Sequence, residues 1–449
     1  MWSTNIVTVH SGDRKRELTH IHRSSETMSV NLIDPEQVSA PLRVGLLTWA
    51  LPPEKSGLAR AALEIAHAAA EAGADVRVFT LDRSGRDRDG DLEIIGCAPR
   101  GALATVRRMA ALGHLAAPLA FRAAVMTEHR KRPFDVIEAT NWYAPGAAIA
   151  ARGSIPLITR NSTPAAITLS QEPTLRNRVD RAGAILIERL SAQWSAGLIS
   201  NTAAHGDTIA DLYRVPHPGP RHAVIGLSLP QAITERGQSA AYPSEGGPVE
   251  VLFVGRNEPR KGFDALLEAA TILATEHATG RLPAFRLTLV GAQEEDVAAI
   301  PAGMRSVIRL FHRVEETLLH DLFAATHVVA APSRYESFGL VYQEAMMFGR
   351  PVVACAEDAS ARLFVGDSGA GILATTCTGA DVAAALRPLI ADPALRARYA
   401  AASRAASGQF TRRTLGEQTL AAYRSAIASN GRSKRASSSG RAPSADIAA

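Results

Sequence analysis

The sequence has little of what marks disulfide-bonded, zinc-binding or membrane-spanning proteins. Its 449 residues include only three cysteines, Cys97, Cys355 and Cys377, and no CxxC pair. The odd count and wide spacing argue against a disulfide framework or a structural zinc site and favour a reducing cytoplasm. No apolar run reaches the roughly 20 residues that a membrane span needs, and no signal-peptide pattern is present. We therefore predict a cytoplasmic protein that is not an integral membrane protein.

An excess of charge of one sign is also small. The formal net charge is +5, and part of it lies in residues 431–449. The rest of the chain is close to balanced, so we expect no nucleic-acid partner, whereas a few cations in a cleft would suit a phosphorylated ligand. The histidines show no metal-ligand spacing.

What is present is an alternation of strands and helices. The apolar run Arg43–Thr48, the helical periodicity of Gly57–Glu71 and the run Asp75–Thr80 form a βαβ unit, which implies a parallel sheet. A second series of the same kind begins at Val249. The chain length fits two domains with tails. We predict an α/β fold of two Rossmann-like domains, with a ligand cleft that faces the carboxyl ends of the strands.

Composition places the boundaries of these domains. We predict a first domain at 41–235, a turn-rich linker at 236–248, a second domain at 249–410 and a C-terminal helix at 411–429. The polar, aperiodic residues 1–40 and the Ser-, Arg- and Ala-rich residues 430–449 are predicted to be disordered.

The most informative segment lies in the second domain, between a predicted strand and a helix expected to open at about Phe338. The first amides of a helix have no internal partners and can cradle a diphosphate, and Gly339 removes a Cβ where the anion approaches. Glu344 is expected on the same helix face as Ser337, about 10 Å along the axis, which suits a carboxylate bound to a ribose. Glu336, just before the helix, could contact a sugar.

A second segment, Gly255-Arg256 to Lys261-Gly262, closes the first strand of this domain and opens its first helix. Arg256 and Lys261 could converge on the same phosphates and neutralise the charge of a leaving group. The alternative is that these residues are surface cations, and that Glu336 and Glu344 are solvated charges at helix ends.

Together, the two segments resemble the signature of family 4 glycosyltransferases, which have the GT-B fold. That family carries two glutamates separated by seven residues, here Glu336 and Glu344, after a Gly-Arg loop and a Lys-Gly pair. The resemblance implies a retaining, metal-independent and cofactor-free hexosyl transfer from a nucleotide-diphosphate sugar. The acceptor would be a carbohydrate, lipid-linked or small-molecule hydroxyl, as in glycan or cell-envelope polysaccharide synthesis.

The same resemblance implies roles for individual residues. Arg256 and Lys261 should hold the diphosphate, Glu344 the ribose and Glu336 the donor sugar. The backbone amides expected to bind the distal phosphate are those of Phe338, Gly339 and Leu340. The segment that includes Arg313 and Val314 resembles the nucleotide-facing strand of the family.

In the first domain the resemblance is weaker. Gly57 matches a loop that approaches the donor phosphates, but the family often has two adjacent glycines, and Ser56-Gly57 is also compatible with a tight turn. Where many members carry a histidine, this chain has Arg160-Asn161, which could orient the donor or acceptor or form a structural turn. Asn141 and Trp142 could belong to an acceptor wall, although a buried tryptophan is the commoner case.

Residues 100–133 mix apolar side chains with arginines and a lysine. Such a basic amphipathic surface could rest on anionic lipid at the inner face of a membrane and reach a lipid-linked acceptor, or it could be a solvated helix face. Two other functions remain open: a nucleotide-sugar epimerase of related double-Rossmann architecture, which the paired glutamates disfavour, and a non-catalytic nucleotide-sugar binding protein.

Overall fold

The computed structural model describes residues 40–54, 56–109, 111–168, 174–298 and 302–439. The predicted disordered lead-in, 1–40, lies outside the described residues except for Ala40, and so do residues 440–449 of the predicted tail. The described residues from Pro41 onward form one compact unit.

The first half is built on a sheet whose strands in the described residues run in the order β3-β4-β2-β1-β5-β6-β7-β8. All neighbours are parallel except β3, which is antiparallel to β4. The central strands are buried along their length because helices cover both faces of a parallel sheet. The strands are β1 (Arg43–Thr48), β2 (Asp75–Thr80), β3 (Ser84–Asp89), β4 (Leu92–Cys97), β5 (Val136–Thr140), β6 (Leu157–Arg160), β7 (Gly197–Ser200) and β8 (His222–Val224).

Helices connect these strands. They are α1 (Gly57–Glu71), α2 (Ala102–Val106), α3 (Ala116–Lys131), α4 (Ala147–Ala150), α5 (Ala165–Thr168), α6 (Leu175–Trp194), α7 (Ala203–Tyr213) and α8 (Gln231–Ser239). A short 3-10 helix, Leu112–Leu115, precedes α3. Ser56 caps α1 by accepting a hydrogen bond from the Ala59 amide at 3.1 Å, as expected for a serine at this position.

The second half has a parallel sheet of order β11-β10-β9-β12-β13-β14 within the described residues. Its strands are β9 (Val249–Val254), β10 (Phe285–Val290), β11 (Ile308–Phe311), β12 (Val328–Ala330), β13 (Val352–Cys355) and β14 (Gly371–Ala374). Its helices are α9 (Phe263–Ala278), α10 (Glu316–Ala325), α11 (Leu340–Met347), α12 (Ala359–Ala361), α13 (Gly379–Ala391) and α14 (Pro393–Ala406). A last helix, α15 (Arg412–Ser439), follows.

The prediction of an α/β fold with two parallel sheets is confirmed. The strands predicted at Arg43–Thr48 and Asp75–Thr80 have the predicted bounds. The edge strand β3 was missed because it reads Ser-Gly-Arg-Asp-Arg-Asp and is exposed along most of its length. Edge strands that carry charges instead of an apolar face are typical of sheets that must not pair with other chains.

The predicted linker, 236–248, is partly helical. Helix α8 runs to Ser239 and so includes the first residues of that segment. Its end is fixed by Arg404 of α14, whose Nη1 and Nη2 atoms donate to the carbonyls of Gly237 at 2.7 Å and Ala240 at 2.9 Å. Cationic side chains that bind the last carbonyls of a helix stabilise its C-terminus.

Helix α15 is longer than the predicted helix at 411–429, so the disorder predicted from residue 430 is wrong up to Ser439. No proline interrupts Arg412–Ser439, and its alanines favour helix. The helix returns to the first half. Arg412 Nη2 lies 2.6 Å from Glu64 Oε2 of α1, and the Tyr423 hydroxyl donates to Glu138 Oε2 of β5 at 2.8 Å.

Two findings concern the cysteines and the predicted absence of a membrane span. All three cysteines are buried and unpaired. No helix among the described residues has the length and hydropathy required to cross a membrane.

Candidate active site

The candidate site lies at the carboxyl edge of the second sheet. Strands β9 and β12 are parallel neighbours, so the loops after Val254 and Ala330 leave the sheet side by side. The first loop contains the 3-10 turn Pro259–Lys261, and the second runs to the start of α11. This topology brings two cationic side chains of one loop against Glu336 of the other, as parallel α/β sheets do at their ligand sites.

Glu336 is the centre of this contact. Its Oε1 accepts hydrogen bonds from Lys261 Nζ at 2.5 Å and Ser333 Oγ at 2.7 Å, and its Oε2 lies 3.3 Å from Arg260 Nη1. Burial alone would raise the pKa of this carboxyl, but the charges of Lys261 and Arg260 outweigh burial and hold the pKa below its ordinary value. Glu336 is therefore a carboxylate at neutral pH.

Gly262 explains how the two loops come so close. Its φ is +66°, and a Cβ there would lie 1.9 Å from the carbonyl oxygen of Pro332. Only glycine tolerates both the left-handed backbone and this approach. The backbone at Gly262 is thereby fixed. Because Lys261 precedes Gly262, the direction from which the lysine reaches Glu336 is fixed as well.

Asp358, which sequence reasoning missed, holds the Glu336 loop from behind. Its Oδ1 accepts from the Glu336 amide and its Oδ2 from the Tyr342 hydroxyl, both at 2.9 Å. Burial first, and then the charge of Glu336, raise the pKa of Asp358 to about 6. An Asp before a short helix is an N-cap signal, and Asp358 does cap α12, but the contact with Glu336 spans a sequence separation that no local pattern reports.

The helix predicted to bind phosphate starts later than predicted, at Leu340 and not at about Phe338. Its N-cap is Gly339, whose φ is +80° and where a Cβ would lie 2.3 Å from Tyr342 Cδ2. Ser337 is outside the helix, so the shared face predicted for Ser337 and Glu344 is wrong. Within the described residues, the amides of Phe338, Gly339 and Leu340 have no hydrogen-bond partner, which is the condition for an anion cradle.

Glu344 lies on α11 and is 2% exposed. Its Oε1 is 3.0 Å from Arg60 Nη1. Because Arg60 belongs to α1, this ion pair joins the two halves of the molecule. No sequence pattern indicates this pair, since a lone arginine in the first turns of an amphipathic helix looks like a surface residue.

Arg256 departs from the prediction. Its side chain is 80% exposed and pairs with Glu258 Oε1 at 2.6 Å. The second cation in contact with Glu336 is instead Arg260, whose position inside the 3-10 turn directs it at the neighbouring loop. The predicted site placed Arg256 with Lys261, Glu336 and Glu344. In this structure Arg256 pairs with Glu258 instead.

Three other predicted residues lie at the edges of the sheets. Gly57 is the exposed first residue of α1, and a Cβ there would meet nothing within 4 Å. Arg313 is exposed and Val314 half-buried on the loop after β11, at the same carboxyl edge as Glu336. Their roles in phosphate and nucleotide binding stay predictions.

Arg160 has a structural role, which was the alternative to orienting the donor or acceptor. It is 5% exposed, and its Nε and Nη2 atoms bind the two carboxylate oxygens of Glu138 at 2.8 and 3.1 Å. Nη2 also donates to Thr419 Oγ1 of α15 at 2.8 Å. The guanidinium is therefore committed to the packing of α15 and does not face an acceptor.

Asn161 and Asn141 are also buried and engaged. Asn161 Nδ2 donates to Ser200 Oγ at 3.1 Å, and Asn141 Nδ2 donates to the Tyr213 hydroxyl at 2.8 Å. The structure supports a hydrogen-bonding role in the loops after β5 and β6 for both residues, because neither amide is exposed to a ligand.

An aromatic cluster follows β5, where an acceptor wall was predicted. Trp142 is half-buried, and its ring meets that of Tyr143 edge-on at 4.7 Å. Trp49 Nε1 donates to the Trp142 carbonyl at 2.7 Å, and His114 stacks on Tyr143 at 5.1 Å. Tyr143 has a φ of +50°, a conformation that non-glycine residues adopt where the surroundings impose it.

Buried Glu188 of α6 imposes that conformation. Its Oε1 accepts from the Tyr143 amide at 3.0 Å, and its Oε2 accepts from the Ala165 amide at 3.1 Å and the Tyr213 hydroxyl at 2.8 Å. Burial raises the pKa of Glu188 to about 7. No local sequence pattern identifies this carboxylate, which holds two loops of the acceptor side.

Among the described residues, no three His, Cys, Asp or Glu side chains are grouped to hold a metal ion. The prediction that the reaction needs no metal is untested by this finding.

Solved structures show what class of fold this is. The chain is similar to sucrose-phosphate synthase from Thermosynechococcus elongatus, with a TM-score of 0.67, 19% identity and coverage of 86% of this chain and 99% of that one. It is also similar to WaaG, a glycosyltransferase involved in lipopolysaccharide biosynthesis, with a TM-score of 0.63, 20% identity and coverage of 84% and 98%. With the two parallel sheets, these likenesses define the GT-B fold.

Sequence comparisons give the family. Residues 56–226 match the family described as "Glycosyl transferase 4-like domain", and residues 235–406 match "Glycosyl transferases group 1". A D-inositol 3-phosphate glycosyltransferase from Geodermatophilus obscurus is 30% identical over 447 residues, 92% of this chain and 92% of that protein. Another, from Kineococcus radiotolerans, is 29% identical over 394 residues, 81% and 89%. The chain belongs to the family 4 glycosyltransferases.

Proposed function

We propose that this protein is a retaining, metal-independent glycosyltransferase that moves a hexose from a nucleotide-diphosphate sugar to a hydroxyl acceptor. The observation that carries the proposal is the contact of Lys261 and Arg260 with the ionised Glu336, beside the start of α11. One carboxylate, two cations and a set of unpaired amides within one loop pair fit a sugar diphosphate better than any neutral ligand.

The donor would bind with its diphosphate at the start of α11. The amides of Phe338, Gly339 and Leu340 would receive the distal phosphate, and Lys261 would neutralise the charge that develops as the nucleotide leaves. Arg256, exposed on the same loop, has the reach of a long side chain and would close on the phosphates. These cations and the helix start would supply the electrostatic stabilisation for which other enzymes use a metal ion.

Glu336 and Glu344 would bind the two sugars of the donor. Glu336 is ionised and close to the phosphate site, so it would stabilise positive charge at the anomeric carbon of the transferred hexose. Glu344 would accept hydrogen bonds from ribose hydroxyls after Arg60 releases it. Anabaena Alr3699/HepE, similar in fold with a TM-score of 0.59 and 20% identity, was solved with UDP and glucose, and we propose a donor of that chemical class.

The acceptor would approach from the first half. The names of the curated relatives favour a phosphorylated cyclic polyol, and the rings of Trp142 and Tyr143 could pack on the carbon face of such a ring or of a sugar. A carbohydrate or lipid-linked hydroxyl fits the same wall. We place the reaction in the cytoplasm, where three buried thiols stay reduced.

Product analysis tests the proposal. The protein is incubated with UDP-, GDP- and ADP-hexoses, first alone and then with inositol phosphates, sugars and polyprenyl-linked glycans, in the presence of a chelator. We expect a new glycoside, with the anomeric configuration of the donor by NMR. An inverted product would overturn retention, and loss of activity on chelation would overturn metal independence. Epimerised donor without acceptor, or tight donor binding without turnover, would replace the proposal with one of the two alternative functions.

A further inference from the structure

Three elements of the first half expose an unusual set of apolar side chains. On α6, Leu175, Val179 and Leu186 are exposed, and their spacing places them on one face of the helix. Leu175 is 74% exposed. The other face of α6 buries Ala184 and Ile187. A surface helix normally presents polar side chains to water, so an outward apolar stripe indicates contact with something else.

The neighbouring segment extends this stripe. Met109 precedes the 3-10 helix Leu112–Leu115, whose two terminal leucines are exposed, as is Leu119 at the start of α3. The segment is fastened to α6 by two contacts: the Ala111 amide donates to Asp180 Oδ1 at 2.8 Å, and Arg176 Nη2 donates to the Arg108 carbonyl at 3.3 Å. We define the apolar–basic surface as residues 100–109, 111–119 and 174–186.

Charge on this surface has one sign. Its arginines are Arg100, Arg107, Arg108, Arg176, Arg178 and Arg181, and its one acid is Asp180. Asp180 is engaged by the Ala111 amide and lies 3.2 Å from His114 Nε2. Arg107, Arg108 and Arg178 are exposed. Exposed leucines among arginines are the combination that inserts into the headgroup region of an anionic bilayer.

We propose that the apolar–basic surface binds the protein to anionic lipid bilayers. A second copy of the chain is a poorer occupant, because a two-fold contact would place these arginines against each other. The surface also adjoins the acceptor wall: His114, from its 3-10 helix, stacks on Tyr143 at 5.1 Å. Bilayer binding would therefore bring the aromatic cluster to the headgroup level. At that level the aromatic cluster would meet a lipid-linked acceptor. That acceptor rests on the proposed function, whereas bilayer binding does not.

Vesicle co-sedimentation of the full chain tests the proposal. Vesicles of phosphatidylglycerol with phosphatidylcholine are compared with vesicles of phosphatidylcholine alone. We expect binding to the anionic vesicles, weakened by added salt. Arg107→Ala with Arg108→Ala should lower the affinity about thirtyfold, given the contribution of each arginine near an anionic surface. Val179→Asp with Leu186→Asp should abolish binding.

Leu318→Asp is the matched control. Leu318 is an exposed leucine of α10, in the second half, and its replacement should leave vesicle binding unchanged. Circular dichroism and calorimetry with nucleoside diphosphates would show that each variant folds and keeps its donor site, so a failure of the donor proposal would be seen separately. No binding by the wild-type chain, equal losses in the control, or a dimer in light scattering that the Val179/Leu186 variant dissolves would each overturn the proposal.

Discussion

The two halves of the molecule use arginines and carboxylates in opposite ways. In the second half, Lys261 and Arg260 meet Glu336 beside amides that have no partner within the part of the chain that the structure describes, so the charges are gathered where we propose that a ligand binds. In the first half, Arg160 and Glu138 form a buried ion pair beneath α15. Buried pairs of the second kind hold elements in place, whereas the cations of the first kind are partly exposed and can exchange the carboxylate for a ligand. The burial of a charged side chain and its partners, more than its residue type, indicate whether it belongs to a ligand site or to a structural contact.

The largest effect should come from breaking the structural pair. Arg160→Met leaves Glu138 buried with only Tyr423 as a partner, and loss of one member of a buried pair costs about 3–5 kcal/mol. We expect a large fall in the urea midpoint of unfolding. Nucleoside diphosphate affinity, measured where the variant is still folded, should be unchanged. A stable variant with a weakened acceptor KM would instead give Arg160 the acceptor role.

Glu336→Gln tests the role of the charge cluster formed by Glu336, Lys261 and Arg260. The amide keeps the shape of the side chain but not its charge, and we expect kcat to fall about 10²–10³-fold, as for loss of one preorganised electrostatic contact to the reacting centre. The melting temperature should change little because Lys261 and Arg260 remain partly exposed. Glu250→Gln, at the far end of β9, is the control and should retain activity. Full activity of Glu336→Gln would refute the site.

Glu344→Ala should act on binding more than on chemistry. Loss of charged hydrogen bonds to the ribose would weaken nucleoside diphosphate binding by about 1.5–3 kcal/mol. Calorimetry should show this loss with a smaller change in kcat at saturating donor. If the affinity were unchanged, the ribose would have to bind elsewhere.

Glu188, a buried carboxyl of the first half, provides a pH-dependent test of the comparison between the two halves. Its pKa of about 7 in the folded protein exceeds the unfolded value of about 4.3. The stability that this shift contributes is therefore complete below about pH 4.3 and is lost as the pH rises through 7. Between pH 6 and 8 the wild type should lose about 1 kcal/mol relative to Glu188→Gln. Parallel pH–stability curves for the two proteins would contradict a buried, raised carboxyl.

The smallest effect is expected at the ion pair that joins the halves. Arg60 is partly exposed although Glu344 is buried, so we expect the pair to contribute up to about 1 kcal/mol, and the ribose must displace it. Arg60→Ala should therefore tighten nucleoside binding by up to about fivefold. Arg60→Lys, which keeps the charge, is the comparison variant and should bind as the wild type does. Weaker binding by Arg60→Ala would mean that Arg60 contacts the nucleotide itself.

The donor side could be predicted further from the sequence than the acceptor side, for a physical reason. Glu336, Glu344 and the start of α11 lie within one strand–loop–helix segment, so local spacing reports their arrangement. Lys261 lies 75 residues earlier, on the loop after the neighbouring strand β9, and the resemblance to the family located it. Local spacing did not report which arginine turns inward, because Arg256 and Arg260 differ only in their position relative to the 3-10 turn.

Contacts between distant parts of the chain were not predictable in this way. Arg160 meets Thr419, and Arg60 meets Glu344, only after both sheets and α15 have formed. The same holds for Asp358 behind Glu336 and for Glu188 beneath Tyr143. Strands such as β1, β2 and β9 were predictable because buried parallel strands read as short apolar runs, whereas β4 and β8 were not identified and the polar edge strand β3 gave no such signal.

Calorimetric titration of UDP and uridine, or of the base that the donor panel selects, into the wild type and Lys261→Ala tests the central claim most directly. Arg413→Ala, which removes an exposed cation of α15, is the control. If the loops after β9 and β12 grip a pyrophosphate, the wild type and the control will bind the diphosphate far more tightly than the nucleoside, and Lys261→Ala will lose most of that preference. An equal preference in all three proteins would contradict the account.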